Sequence, residues 1–199
     1  DFSLSRGLGD VYKRQPVGSF LDNKRVVLVA APHQSGKDEY LMILIILALD
    51  VDVCYLSAKW TMRRIPNPFE KSKDIADQGI RWPLGWLQEI IFRKFGAIPV
   101  DRKGNSGQYD SVIEELKKRD SFLLIVTPEG RFDATRFRTS FLFIAKELNA
   151  EVMPVQIDYE NEIFNILESF NIEGDTESVV KNLRLKFDGI KGKKSRFKA

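Results

Sequence analysis

The chain has 199 residues, of which 43% are hydrophobic and 30% are charged, and its formal net charge is +3. A chain of this length can bury one sizeable core. Its longest apolar run, Leu41 to Leu49, is far shorter than the roughly 18 residues that a membrane-spanning helix needs. The single cysteine, Cys54, excludes an internal disulfide and indicates a small core residue in a reducing compartment. We therefore expect one domain.

The first fifteen residues differ in character from the rest. Residues 1–15 show no clear hydrophobic period, and Asp10 to Gln15 resembles the translation of a common sequencing-adaptor end. We expect a non-native leader there and leave it out of the fold prediction. Residues 16–160 then form the main domain.

Strands and helices are predicted to alternate along the main domain. Apolar, β-branched runs predict strands at 26–31, 51–56, 98–100, 122–126 and 152–157. Helical spacing predicts helices at about 37–49, 84–95, 111–118 and 139–148, with a proline-containing loop at 61–83. This alternation favours an α/β domain with a central, largely parallel sheet flanked by helices.

The last 39 residues, 161–199, are predicted to be an acidic helix or loop followed by a basic tail. Residues 158–177 hold seven acidic residues and no basic one, and we interpret them as a surface helix and loop. Residues 181–199 hold eight Lys or Arg and one Asp. This end is either solvated and partly disordered, or in contact with anionic lipid or nucleic acid.

Three loops that follow predicted strands present polar groups: 32–38, 96–102 and 127–131. A fourth, around Pro154, is apolar. Because the carboxyl ends of parallel strands meet at one edge of a sheet, these loops are expected to converge where ligands bind. One histidine, one aspartate and two arginines at such an edge form a candidate reaction centre.

His33 is the only histidine, and Asp38 follows it by five residues. On a regular helix five residues separate two side chains by about 140°, so the pair meets only if His33 lies in the turn before the helix. Asp38 would then fix the imidazole tautomer, and a ring nitrogen should lie within about 3.2 Å of its carboxylate. A purely structural histidine is the alternative.

Arg102 and Arg131 suit a phosphate, because guanidinium groups bind it in a bidentate way. The alternative is a pair of surface ion pairs with Asp101 and Glu129. Gly130 permits a tight turn and the close approach of a ligand.

Taken together and in this order, the four segments resemble the phospholipid/glycerol acyltransferase family, which includes lysophosphatidic acid acyltransferases. The family's first block is a His, four residues and an Asp, matched by His33-Gln34-Ser35-Gly36-Lys37-Asp38. Its second ends in Asp-Arg after a Gly, matched by Gly96 to Arg102. Its third is Pro-Glu-Gly-Thr-Arg, matched without the Thr by Pro128-Glu129-Gly130-Arg131. Its fourth centres on a proline after a strand, matched by Pro154. The resemblance spans about residues 26 to 159.

The resemblance implies a glycerol-3-phosphate acyltransferase-like fold and O-acyltransferase activity. His33 would be the general base and Asp38 its orienting partner, while Arg102 and Arg131 would bind the phosphate of a glycerol-phosphate or lysophospholipid acceptor. Glu129 and Gly130 would shape that site. Acyl-CoA or acyl-carrier protein would be the co-substrate, and no metal, bound cofactor or nucleic acid is implied. The additional basic residues Lys37, Arg136 and Arg138 would either extend the phosphate-binding site or face solvent.

A protein of this kind is expected to be cytoplasmic and peripheral at the inner membrane face. The candidates for membrane contact are the basic tail and Trp60, Trp82 and Trp86. Two other functions remain open. One is a non-catalytic lipid-binding relative. The other is a nucleotide-binding enzyme, although Ala31 and Asp38 stand where a phosphate-binding loop requires Gly and Ser or Thr.

Overall fold

A computed structural model describes residues 2–3, 24–35, 38, 53–65, 80–100, 109–129 and 137–199. The strands are β1 (Phe2–Ser3), β2 (Arg25–Ala31), β3 (Val53–Ala58), β4 (Arg64–Ile65), β5 (Ile80–Arg81), β6 (Ala97–Val100), β7 (Phe122–Val126), β8 (Glu151–Asp158) and β9 (Ile163–Ile166). The helices are a 3-10 turn (Lys59–Met62), α1 (Gly85–Lys94), α2 (Asp110–Lys117), α3 (Ser140–Glu147) and α4 (Thr176–Phe187).

The central sheet has the strand order β1-β9-β8-β2-β7-β3-β6. The pairs from β8 to β6 are parallel, whereas β9 pairs antiparallel with both β8 and β1. Strand β2 lies between β8 and β7, with Val26 opposite both Leu123 and Glu151. The predicted α/β domain with a largely parallel sheet flanked by helices is therefore confirmed.

The core lies on both faces of the sheet, because successive strand side chains point to opposite sides. On one face, Val27 and Val29 belong to a buried cluster that includes Leu116 of α2, Ile144 of α3 and Leu183 of α4. The other face is a second buried cluster, made of residues such as Val26, Leu28, Leu123, Met153 and Ile157. Full burial of each such side chain contributes about 1.5–3 kcal/mol, which explains why β2 and β7 are almost wholly apolar.

Gly96 ends α1, as the sequence predicts. Its φ is +85°, and a Cβ there would lie 2.0 Å from the carbonyl oxygen of Val53. Only glycine fits this turn, because a side chain would be strained and would also collide with backbone. The turn leads directly into β6, which pairs with β3.

The interpretation of residues 158–177 as a surface helix and loop is wrong for its first part. Strand β8 extends to Asp158, and Ile163–Ile166 forms β9 beside it. The physical reason is the apolar content of this short segment, since Phe164 and Ile166 pack against the second core cluster. The acidic residues between them concealed that pattern.

The basic end of the chain is folded, so the alternative of a partly disordered tail is wrong, although most of its charged side chains are exposed to solvent. Helix α4 buries Leu183 and Phe187, and the chain then returns so that Phe197 is buried as well. The ring centroids of Phe197 lie 5.3 Å from Phe137 and 6.1 Å from Phe187. Apart from Asp38, the helix predicted at 37–49 lies outside the described residues.

Candidate functional site

The candidate site lies at the carboxyl end of β2, the strand between β8 and β7. Pro32 and His33 follow β2 directly and are both buried. Asp38 lies in the first helical turn after this loop, and its backbone N–H donates to the carbonyl oxygen of Ser35 at 3.1 Å. The sequence predicted this placement, with the histidine in the turn and the aspartate at the start of the helix.

The predicted contact between His33 and Asp38 is confirmed. Nδ1 of His33 lies 3.1 Å from Oδ2 of Asp38, and the two residues are 6% and 0% exposed. An ionised carboxylate only accepts hydrogen bonds, so the proton of a neutral imidazole lies on Nδ1. Nε2 then has the lone pair that can accept a proton. The pair thus has the geometry of a base and its orienting partner.

Asp38 is held as a carboxylate by a set of donors. Its Oδ2 also accepts from the backbone N–H groups of Gln34 at 2.8 Å and Ser35 at 2.9 Å, and its Oδ1 accepts from the hydroxyl of Tyr159. Burial by itself raises the pKa of Asp38. The hydrogen bonds from His33, Tyr159, Ser35 and Gln34 together outweigh burial and hold that pKa below its usual value.

Glu129 holds the backbone of His33. It follows β7, the neighbour of β2, and its Oε2 accepts from the backbone N–H of His33 at 2.8 Å. The side chain is buried, and burial raises the pKa of Glu129 to about 7 despite the opposing effect of this hydrogen bond. Glu129, from the third sequence block, is therefore hydrogen-bonded to His33 of the first block. Its carboxyl group can hold a proton near neutral pH.

The remaining predicted residues are placed only in part. Arg102, Gly130 and Arg131 lie outside the described residues, as do Lys37 and Arg136, so their roles stay predictions. Arg138 is exposed, and its backbone N–H donates to the carbonyl oxygen of Pro128 at 2.7 Å. Pro154 lies within β8 and not after a strand, and it is paired with Val29 of β2.

Tyr159 is a site residue that the sequence reasoning did not identify. It is the first residue after β8, at the same sheet edge as His33. Burial and then its hydrogen bond to the Asp38 carboxylate raise the pKa of the Tyr159 phenol above its usual value, which keeps the hydroxyl a donor. Its position directly after an apolar strand was the one available signal.

Gln34, inside the first block, makes a second unpredicted set of contacts. Its Oε1 accepts from the backbone N–H groups of Lys194 at 2.8 Å and Ser195 at 2.9 Å. Its Nε2 donates to the hydroxyl of Ser195 at 3.0 Å. The C-terminal end of the chain is therefore fastened to the loop that contains His33.

No protein-family model matches the chain, and no curated protein matches it. Among the residues that the structure describes, no helix is both long and apolar enough to cross a membrane.

Proposed function

We propose that the protein is an O-acyltransferase, which moves a fatty acyl group from a thioester to a hydroxyl of a glycerol-phosphate or lysophospholipid acceptor. The observation that supports this most is the contact between His33 Nδ1 and the buried carboxylate of Asp38 at 3.1 Å. The resemblance of the four sequence segments to phospholipid/glycerol acyltransferases supplies the reaction type.

In the proposed reaction, Nε2 of His33 takes the proton from the acceptor hydroxyl as its oxygen attacks the thioester carbonyl carbon. A carbon–oxygen bond forms, and the tetrahedral intermediate then breaks its carbon–sulfur bond. The leaving thiolate takes the proton from the imidazolium, so the products are an ester and a free thiol. General-base catalysis of this kind is typically worth about 10²- to 10⁴-fold in rate.

Asp38 would stabilise the imidazolium that forms on His33 and keep the ring in one tautomer. Its lowered pKa favours the charged form that this role needs. In this proposal Arg102 and Arg131 bind the acceptor's phosphate, and Glu129 and Gly130 shape the loop beside it. Acyl-CoA or acyl-carrier protein is the donor, and the residues proposed here use neither a metal nor a bound cofactor.

We further propose that α1 contacts the lipid surface from which the acceptor comes, at the inner membrane face. Trp86, Ile90 and Phe95 on and after this helix are 57%, 54% and 55% exposed. Lys94 lies in its last turn, where it would face anionic headgroups, beside Arg93, which pairs with Glu89 at 3.1 Å. An exposed aromatic and aliphatic face beside basic residues suits a helix that lies in the membrane interface.

The reaction is tested by thiol release. Purified protein is mixed with acyl-CoA and lysophosphatidic acid, free thiol is titrated, and the lipid product is separated. Thiol release that depends on the acceptor, with an equal amount of new ester, supports the proposal. Lipid binding without turnover, across several acyl-chain lengths and acceptors, would instead identify a non-catalytic lipid-binding protein.

A further inference from the structure

The C-terminal loop, residues 189–197, is built into the candidate site. Three hydrogen bonds from or to the Gln34 side chain fasten it to the His33 loop. A Cβ on Gly192 would lie 2.6 Å from Oε1 of Gln34 and 2.8 Å from Cγ of Pro32. The backbone of this loop thus approaches the site so closely that a side chain at residue 192 would displace Gln34 or Pro32.

A second connection joins the loop to Asp38 through Tyr159. The backbone N–H of Tyr159 donates to the carbonyl oxygen of Lys191 at 2.8 Å, and its hydroxyl donates to Asp38. The ammonium group of Lys193 lies 5.6 Å from the centre of the Tyr159 ring, a distance typical of a cation–π contact. The side chain of Tyr159 therefore contacts both Lys193 and the Asp38 carboxylate that orients His33.

The loop concentrates positive charge at this place. It contains Lys191, Lys193, Lys194 and Arg196 and no acidic residue. Nη2 of Arg196 is 2.6 Å from both carboxylate oxygens of Glu160. This ion pair neutralises the negative charge of the residue that follows Tyr159. Lys193 and Lys194 are exposed, so their ammonium groups can reach a ligand without first leaving the core.

The sheet topology places this charge away from the strands that lead to the two arginines. Tyr159 and the loop lie on the β8 side of β2. Arg131 follows β7 in the chain and Arg102 follows β6, and both strands lie on the opposite side of β2.

We propose that Lys193 and Lys194 bind phosphate groups of coenzyme A, the acyl donor. This inference rests on the proposed function, because only a two-substrate transfer needs a second phosphate-bearing ligand at His33. The backbone around the two lysines is fixed by Gln34, so little conformational freedom is lost when the ligand binds. The donor thioester would then approach His33 from the side of the C-terminal loop.

The test compares the double variant Lys193→Ala/Lys194→Ala with the control Lys117→Ala/Lys118→Ala. The control also removes two adjacent exposed lysines, at the end of α2, which leads into the amino end of β7. Calorimetry measures binding of free coenzyme A, and steady-state rates give KM for acyl-CoA and for lysophosphatidic acid. Both are repeated at two NaCl concentrations.

We expect the loop variant to bind coenzyme A about 3- to 10-fold more weakly, with the difference shrinking at higher salt. KM for lysophosphatidic acid should change less than about twofold, and the control variant should match wild type. A higher KM for lysophosphatidic acid with unchanged coenzyme A affinity would overturn the proposal, because the loop would then serve the acceptor. Unchanged values for both, or a wild-type protein that does not bind coenzyme A, would also overturn it.

The binding measurement needs no turnover, which separates this inference from the proposed function. A wild-type protein that binds coenzyme A through Lys193 and Lys194 but transfers no acyl group would contradict the proposed reaction alone.

Discussion

Tyr159 donates a hydrogen bond to the carboxylate of Asp38, although the two residues are 121 positions apart in the chain. Strand β8 makes this possible, because it pairs with β2 and ends at the same sheet edge. With this hydrogen bond, both oxygens of the Asp38 carboxylate have partners. The orientation of His33 therefore depends on Asp38, on Tyr159 and, through the His33 backbone N–H, on Glu129.

Replacing Tyr159 by Phe is expected to leave Oδ1 of Asp38 without its donor, which costs about 1–3 kcal/mol in unfolding free energy. The pKa of Asp38 would rise towards its usual value of about 3.9, since one of the bonds that lower it is lost. A carboxyl pKa that is lowered by folding stabilises the folded protein at pH values above the carboxyl's usual pKa, and this stabilisation is lost as pH falls. The difference in unfolding free energy between wild type and Tyr159→Phe should therefore be full at pH 7 and shrink below about pH 4. Urea unfolding at several pH values measures it.

Tyr109→Phe is the matched control for Tyr159→Phe, since Tyr109 is a partly buried tyrosine at the start of α2. In Tyr159→Phe we expect kcat to fall about tenfold while KM for both substrates changes little, because the hydroxyl acts through Asp38. A wild-type kcat in a stably folded Tyr159→Phe protein would show that the hydrogen bond has no part in orienting His33.

Replacing Glu129 by Gln is expected to remove a pH dependence of stability. The folded protein keeps a proton on Glu129 up to about pH 7, whereas the unfolded chain releases it near pH 4.5. The stabilisation from this group is thus complete below pH 4.5 and is lost as pH rises to 7. Over that window wild type should lose on the order of 3 kcal/mol more than the variant. Parallel curves for the two proteins would contradict the buried, proton-holding state. The control is Glu114→Gln, on the exposed face of α2, which should follow wild type.

Replacing Asp38 by Asn is expected to lower kcat by about 10²- to 10⁴-fold. The asparagine amide can donate to Nδ1 of His33, which would favour the tautomer whose Nε2 carries the proton and cannot act as a base. KM should change little, because Asp38 is fully buried and does not face a substrate. Initial rates with acyl-CoA and lysophosphatidic acid measure both constants. An unimpaired variant would mean that Asp38 is only structural.

Replacing Trp86 and Ile90 together by Ser is expected to weaken membrane binding about tenfold or more, because two apolar side chains no longer enter the interface. Sedimentation with vesicles that contain anionic lipid measures the bound fraction. The control is Phe143→Ser on α3, since Phe143 is also an exposed large hydrophobic residue, at 48%. Equal losses in both variants would argue against α1 as the lipid-facing helix.

Much of the sheet could be predicted from the sequence, because buried parallel strands are nearly continuous apolar runs. Phe122–Val126 illustrates this, since the predicted strand and β7 have the same bounds. Strand β9 was missed because Ile163–Ile166 is short, contains Asn165 and lies among acidic residues. Its pairing with β8 decides its conformation, and local propensity does not report that pairing.

The contact between His33 and Asp38 could be predicted from the sequence, whereas the residues around this pair could not. His33 and Asp38 are close in sequence, so a turn before a helix was enough to bring them together. Tyr159 and the C-terminal loop reach the site only through the order of strands in the sheet and the return of the chain after α4. Composition showed the loop's charge, but the anchoring of Lys194 and Ser195 by Gln34 appears only in three dimensions.

The central claim is that His33 is the base of an acyl transfer, and the rate of His33→Ala tests it most directly. Wild type and variant are compared at saturating acyl-CoA and lysophosphatidic acid, with unfolding curves to confirm that both are folded. We predict acceptor-dependent thiol release by wild type and a kcat about 10²- to 10⁴-fold lower in the variant. A folded His33→Ala protein that transfers acyl groups at the wild-type rate would contradict the claim.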